Sequence, residues 1–405
     1  MEKISGYIDK NRKVVGDFLF VVIVSAGGFF FSPKESSVVY DYTFRIAEAL
    51  THGRLGLSEH PSWLSELVPF GGQYFSVFPL GSVLTMVPWA VLKNLSIISA
   101  LPTRPLLAII ALLIGAFSFL ICSFYRVSLP RRILLSLFPL FGTWAWANLA
   151  FSGAWQLALG FAMVGELGAL YFTICRKNPF LAGLFFALAF GNRTEIIATL
   201  PIFLYLLWRS SEGVSRKEFF IQGTLFLLVP FILGIATLGY NFVRFSSPFD
   251  FGYSRIPGIL NEAGYSGSFF SFHAISDNFQ EMLIQGWKRI SAFPYFIPSG
   301  WGGSIFLFCP FLFLLFRKGA KDKIVKWSAW VAILILTFIL WLHGNAGGWQ
   351  VSYRYAMILI PWMLVIFLEN GKSKLSWVEI VLFAVSFSIS AYTFYIFTWT
   401  NLMTL

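Results

Sequence analysis

Apolar residues follow one another along this chain in long runs, without the alternation of a half-buried strand or the polar face of a soluble helix. A helix that crosses a bilayer perpendicularly needs about 20 such residues. The first run covers 14–31. Further runs lie near 105–124, 133–150, 154–174, 179–192, 195–208, 219–243, 300–316, 327–342, 355–368 and 377–398. The pattern predicts an all-α polytopic membrane protein with about 11 transmembrane helices.

The composition supports this class of protein. Of the 405 residues, 57% are hydrophobic, 19% are aromatic and only 12% are charged. Soluble proteins carry about 25% charged residues, so the composition argues against a soluble enzyme, a disordered chain and a nucleic-acid-binding protein. The three cysteines lie far apart, and the chain contains no His-x-x-x-His or Cys-x-x-Cys spacing. We therefore expect no disulfide framework, no metal site and no cofactor.

The net charge of +11 is concentrated in short loops, where it orients the spans. These basic loops are 126–132, 176–177, 209–217, 317–326 and 372–374. They all face the cytoplasm, together with the N-terminus, only if the apolar run 78–92 does not cross the membrane. We therefore predict that 78–92 is a helix in the outer interface. Two long outer loops then follow, at 32–104 and 244–299, and a short one at 343–354.

The first outer loop contains an amphipathic segment at 40–52. On a helix, Asp41, Arg45, Glu48 and His52 follow spacings of four, three and four residues and share one stripe. One interpretation is a solvated face in which Asp41 and Arg45 form an i,i+4 ion pair. The other is a carboxylate held at the boundary of water and lipid, where it acts as a general base toward an incoming hydroxyl.

A family resemblance rests on the order of three segments in this loop. They are Ala-Glu-Ala-Leu-Thr-His-Gly-Arg-Leu-Gly-Leu (47–57), Gly-Gly-Gln-Tyr-Phe-Ser-Val-Phe-Pro-Leu-Gly (71–81) and the apolar run ending at Pro88. Together they resemble the first outer loop of GT-C glycosyltransferases, and most of all the bacterial relatives of the protein O-mannosyltransferase and aminoarabinose transferase group. The resemblance implies a catalytic acid in this loop. The acidic pair usual in that family is absent here, so Asp41, Glu48 and Glu35 are all candidates for the base.

Later segments extend the resemblance along the chain. The segment 180–193 is similar to a Leu-Ala-Gly…Thr-Arg stretch of the group, which makes Arg193 a candidate for a lipid-linked phosphate; pairing with Glu195 is the alternative. The segment 240–245 resembles the entry to the second loop and ends near Arg244, which either contacts substrate or anchors the span at the interface.

The segment 347–355 resembles a Gly-Trp-Gln-x-x-Tyr-Arg-Tyr element of the same group. It supplies Trp349 and Tyr353, whose rings could hold a sugar, and Arg354, which could hold a phosphate. An aromatic belt with one arginine is the alternative. A separate signal is Glu166, an acid inside an apolar run; its glycine neighbours favour a hydrogen bond to an adjacent helix over a role in substrate binding.

The resemblance implies a single integral-membrane domain over 1–405. It would divide into a GT-C-like core at 1–244, the second outer loop at 245–299 and C-terminal helices at 300–405. The implied activity is inverting transfer of a sugar from a polyprenyl-phosphate donor to an acceptor hydroxyl on the outer face of a bacterial inner membrane. Asp41 and Glu48 would be catalytic, and Arg45, Arg193, Arg244, Trp349, Tyr353 and Arg354 would bind substrate. A transporter or flippase of lipid-linked sugars is the competing interpretation.

Overall fold

The computed structural model describes residues 2–34, 39–210, 215–261, 265 and 268–403. These residues are mostly helical. The α-helices are α1 (Glu2–Phe30), α2 (Tyr42–Thr51), α3 (Leu80–Leu84), α4 (Val87–Asn94), α5 (Thr103–Phe124), α6 (Leu129–Phe141), α7 (Ala145–Phe151), α8 (Ala154–Leu170), α9 (Pro179–Asn192), α10 (Leu200–Ser210), α11 (Arg216–Phe245), α12 (Ala274–Phe279), α13 (Ile305–Phe308), α14 (Lys323–Leu342), α15 (Ile360–Glu369) and α16 (Trp377–Trp399).

Two small antiparallel hairpins depart from the all-α prediction, one in each long outer loop. The first pairs β1 (Val68–Phe70) with β2 (Gln73–Phe75). The second pairs β3 (Lys288–Arg289) with β4 (Phe296–Ile297). Such short strands leave no apolar alternation long enough to read in a sequence.

Within the described residues, five helices are long and apolar enough to cross a membrane. They are α5, α8 with its π-helical extension to Cys175, α11, α14 and α16. The pair α6 and α7 is bent by 46° and counts as a sixth if it is one broken span. Apolar helices too short for this class cover Val14–Phe30 and Pro179–Asn192. The chain therefore has the helices of a membrane protein.

Three of the other predicted spans coincide with broken elements. The run 195–208 is a 3₁₀ segment followed by α10, 300–316 is α13 followed by a 3₁₀ segment, and 355–368 is a 3₁₀ segment followed by α15. A proline stands at each junction, namely Pro201, Pro310 and Pro361. Because proline lacks a backbone N–H, it favours the start of a helix and interrupts a continuous one.

The run 78–92 forms two short helices, α3 and α4, neither of which is long enough to cross a bilayer. Both pack against α2. Gly81 of α3 lies so close to the C-terminal end of α9 that an added Cβ would stand 2.4 Å from the carbonyl oxygen of Gly191. The first outer loop is therefore seated directly on the helix end that carries Arg193.

The loops that the charge pattern assigns to one side of the membrane meet at one end of the helical bundle. The Ser128 N–H donates to the Ser373 carbonyl at 2.7 Å, and Arg209 pairs with Asp322 at 2.7 Å. The loops 32–104 and 244–299, which are predicted to face outside, contact each other at the opposite end. Between the two ends, Trp362 donates to the buried Glu166 carboxylate at 3.0 Å, the helix-to-helix contact that the glycines beside Glu166 favour.

Candidate functional site

Arg354 is a buried cation without a buried counter-ion. It begins the 3₁₀ segment Arg354–Leu359, and only 5% of its surface is exposed. Its guanidinium donates to the Gly348 carbonyl at 2.8 Å and contacts the Tyr355 hydroxyl at 3.4 Å, while Nε has no hydrogen-bond partner. No carboxylate of the described residues forms an ion pair with it. Because an uncompensated buried charge is costly, this arrangement favours an anionic ligand.

Buried amides hold the loop that carries Arg354. The Gln350 side-chain amide donates to the carbonyls of Ala346 (2.8 Å) and Gly347 (2.9 Å), and its oxygen accepts the Arg354 N–H at 3.0 Å. From α7, Asn148 bonds both backbone groups of Val351, at 2.9 and 3.2 Å. These contacts fix the position of the arginine before any ligand binds.

Arg193 and Arg354 converge on one aromatic ring. The Arg193 guanidinium lies 4.8 Å from the centroid of Tyr355, and that of Arg354 lies 5.1 Å from the same centroid. Unlike Arg354, Arg193 has an acidic partner, because two of its nitrogens contact the Glu195 carboxylate at 2.5 and 2.8 Å. Pairing with Glu195 was one of the two predicted roles of Arg193, and this ion pair is present. It lies next to the unpaired Arg354.

Trp155, at the start of α8, connects this cation pair to the first outer loop. Its ring lies 5.7 Å from the Arg354 guanidinium and 5.3 and 5.4 Å from the rings of Tyr40 and Tyr42. Its Nε1 donates to the Glu66 carboxylate at 2.8 Å. In sequence, Glu66 is only an acid near His60 and resembles a surface residue. Nothing in its local sequence indicates that it contacts Trp155, the ring next to Arg354.

His343 is a second residue at this site that the sequence does not single out. Its ring lies 5.5 Å from Tyr355, and Nδ1 is 2.7 Å from the Asn345 carbonyl. Burial lowers the pKa of His343; the Asn345 carbonyl opposes this shift and the Arg193 guanidinium adds to it. A neutral ring that donates Nδ1–H to Asn345 presents Nε2 as an acceptor. A lone histidine at the end of a span carries no sequence signal for this role.

The predicted catalytic stripe is divided between two partners. Asp41 immediately precedes α2 and pairs with Arg45 at 2.7 Å, the i,i+4 contact that the spacing indicates. Glu48 does not hold Arg45; it pairs with Lys93 of α4 at 2.7 Å and so joins the two helices. Asp41 is next in sequence to both tyrosines that contact Trp155, whereas Glu48 lies further along α2. Glu35 lies outside the described residues.

Three other predicted site residues have different surroundings. Arg244 is 1% exposed and donates to the Ser76 carbonyl at 2.5 Å, which fastens the second outer loop to the first. Tyr353 is fully buried, and its hydroxyl donates to Asn278 at 2.9 Å. Like Arg354, Arg244 has no carboxylate partner and an unbonded Nε among the described residues, but its other two nitrogens donate to groups of the protein. The Tyr353 hydroxyl is likewise used within the protein. Trp349 is 42% exposed and is the one aromatic of the 347–355 segment that is open enough to stack on a ligand.

The donor groups available at this site are guanidinium, phenol, indole, imidazole and carboxylate. Among the described residues, no three His, Cys, Asp or Glu side chains lie close enough to hold a metal ion together. The arrangement can bind an anion next to an aromatic surface and can accept a proton from a neighbouring hydroxyl. Comparisons of this chain with protein-family models, with curated proteins and with solved structures give no match.

Proposed function

We propose that this protein is a multi-pass membrane glycosyltransferase of the GT-C type, with about 11 spans and its active site on the outer face. It would move a sugar from a polyprenyl-phosphate donor to an acceptor hydroxyl, with inversion at the anomeric carbon. The acceptor is a glycan, a lipid or a protein that presents such a hydroxyl. The family resemblance of 47–57, 71–81 and 347–355 motivates the reaction class.

The observation that carries the proposal is the buried, unpaired guanidinium of Arg354 among aromatic rings. A phosphate on a lipid would supply the missing negative charge, and the planar guanidinium can bind it in a bidentate manner. Trp155 and Trp349 offer ring faces of the kind on which a sugar stacks. Arg193 stands next to this position and could assist once its contact with Glu195 adjusts.

The transfer step requires a base and a stabilised leaving group. A carboxylate takes the proton of the acceptor hydroxyl, whose oxygen forms a bond to the anomeric carbon. The bond between that carbon and the lipid phosphate oxygen breaks, and its electron pair stays on the phosphate. Arg354 stabilises the charge that develops there, which is where a fixed cation lowers the barrier most.

Asp41 is the base that this proposal favours. It is mostly buried, it lies at the start of α2, and its neighbours Tyr40 and Tyr42 both contact the tryptophan that faces Arg354. Arg45 would hold Asp41 in place, and Glu48, tied to Lys93, would keep α2 seated on α4.

Sugar transfer in reconstituted vesicles tests the activity directly. The purified protein would receive a radiolabelled sugar on a polyprenyl-phosphate carrier, and label in a new product would be measured. Arg354→Gln keeps hydrogen-bond donors but removes the charge, so it should abolish transfer. Arg289→Ala removes an exposed outer-loop arginine and should leave transfer unchanged. Full transfer by Arg354→Gln would contradict the proposal.

A flippase of lipid-linked sugars would use the same arginine and aromatic rings. It would move the labelled donor from the inner to the outer leaflet without forming a new glycosidic bond. The same vesicles distinguish the two activities. Outer-leaflet donor that increases with time, without labelled product, would identify a flippase.

A further inference from the structure

A second cleft, of about 650 Å³, opens at the end of the bundle opposite to the arginine site. Two continuous segments show that the ends are opposite. One continuous helical span, α8 with its π-helical extension, begins beside Trp155 and ends at Cys175, next to the cleft. The segment that starts at Arg354 ends, through α15, at Glu369, which lines the cleft. Its volume lies within the range of small-molecule sites, about 300–1,000 Å³.

Cations outnumber carboxylates along this cleft. Its charged lining consists of Arg126, Lys177, Arg209, Lys321, Asp322 and Glu369. Both carboxylates are already engaged by the protein. Glu369 accepts from the Tyr125 hydroxyl and from the Asp322 N–H, each at 2.6 Å, and Asp322 accepts from Arg209 at 2.7 Å. Neither carboxylate forms an ion pair with Arg126 or Lys321.

Two polar groups of the lining point to a ligand. Lys321 donates from Nζ to the Tyr125 carbonyl at 3.0 Å and lies 5.4 Å from the same residue's ring, so both of these contacts are with neutral groups. Thr173 is 1% exposed and lines the cleft, yet its hydroxyl has no hydrogen-bond partner among the described residues. A buried hydroxyl without a partner is costly unless a ligand or a water satisfies it.

We propose that this cleft binds a phosphate group, carried either by an anionic lipid headgroup or by a free phosphate ester. Arg126 and Lys321 supply charge-assisted contacts, and the Thr173 hydroxyl donates to a phosphate oxygen. The rest of the lining includes the apolar side chains of Phe124, Ile174, Leu206 and Val325, and Phe124 is half exposed. This mixture of cations and apolar walls suits the headgroup and upper chains of a lipid. The site is separate from that of the proposed transfer reaction.

Binding of lipids to the purified full chain tests this site independently of activity. Native mass spectrometry would count molecules of phosphatidylglycerol and of phosphatidylcholine bound to the protein. The double variant Arg126→Gln/Lys321→Gln should weaken phosphatidylglycerol binding at least about 10-fold, because it removes two charge-assisted contacts. Thr173→Val, which changes no charge, should weaken it about 2- to 10-fold. The matched control is Lys318→Gln/Lys372→Gln, which removes two exposed lysines outside the cleft and should have no effect.

Titration with glycerol phosphate separates the two sources of the phosphate group. If glycerol phosphate binds as tightly as phosphatidylglycerol, and the double variant weakens both, the ligand is a free phosphate ester. If only the lipid binds tightly, the ligand is an anionic lipid headgroup. The proposal is overturned if the double variant binds phosphatidylglycerol as the control does, or if the protein binds phosphatidylcholine equally well. Neither result would bear on sugar transfer.

Discussion

Arg193 and Arg354 share the ring of Tyr355, at 4.8 and 5.1 Å from its centroid, yet only Arg193 has a carboxylate partner. The two arginines come from the ends of different helical segments and are brought together by the folding of the bundle. Their different pairing gives them different roles in the proposed site. The Arg354 guanidinium can bind an anion directly, whereas the charge of Arg193 is already compensated by Glu195.

This difference predicts unequal effects on donor binding. Arg354→Gln should weaken the binding of a polyprenyl-phosphate sugar by about 10- to 150-fold, because a hydrogen bond to a charged group contributes about 1.5–3 kcal/mol. Arg193→Gln should weaken it less, since Glu195 already compensates that charge. Donor affinity would be measured on detergent-purified variants of equal thermal stability. A larger loss in Arg193→Gln than in Arg354→Gln would reverse these roles.

Asp41→Asn should separate catalysis from binding. The amide keeps the shape of the side chain but cannot accept the acceptor's proton, so sugar transfer should fall by about 100- to 10,000-fold while donor affinity is retained. Glu48→Gln removes the carboxylate that pairs with Lys93, and it should reduce the rate of transfer only slightly. If Glu48→Gln is inactive and Asp41→Asn is active, the base is Glu48. Activity of both would direct attention to Glu35.

Gly347→Ala should disturb the arginine site through the backbone. Gly347 has a φ of +79°, and an added Cβ would stand 2.9 Å from both Arg354 Nη2 and the Tyr355 hydroxyl. Gly258→Ala is the matched control, because Gly258 has a φ of +77° and open space around it. Both variants carry the backbone cost of a left-handed conformation, about 1–2 kcal/mol. Only Gly347→Ala should also weaken donor binding. Equal donor affinities of the two variants would contradict this prediction.

The free energy of unfolding should depend on pH through Glu281, in the loop 244–299. Burial, with a smaller contribution from Asp277, raises the pKa of Glu281 to about 7. Between its ordinary value of 4.5 and about 7, the folded protein keeps a proton that the unfolded chain releases, so the free energy of unfolding falls as pH rises through this window. Thermal unfolding at pH 4.5 and 7.5 should show this fall, and Glu281→Gln should reduce it. Glu59→Gln, at an exposed position, should leave it unchanged.

Thiol labelling tests the sides of the membrane. A cysteine at the exposed Ser62 should react with an impermeant reagent added outside, and a cysteine at Ser128 or Ser373 should not. Because Ser128 and Ser373 are hydrogen-bonded to each other, their cysteine variants should behave alike. Labelling of Ser128→Cys from outside would reverse the predicted orientation.

Local patterns in the sequence were sufficient for several features. Apolar runs and sparse charge determined the membrane class, because the bilayer selects for long uncharged segments. The i,i+4 spacing determined the pair of Asp41 and Arg45, since it depends only on the geometry of one helix. The charge of the basic loops predicted that 78–92 does not cross the membrane, and the segment forms two short helices, α3 and α4. The clustering of basic loops anticipated which loops meet at one end of the bundle.

Only the tertiary structure decided which side chains share the site. Arg193 lies against the ring of Tyr355 from a distant segment, Trp155 donates to Glu66, and Lys93 pairs with Glu48. Arg244 and Tyr353 are likewise buried inside the protein, although their sequence context resembles that of ligand-binding residues. Spacing along the chain fixes contacts within a helix, but contacts between segments far apart in the sequence depend on how those helices pack. That packing pairs Arg193 with Glu195 and leaves Arg354, on the same tyrosine ring, without an acidic partner.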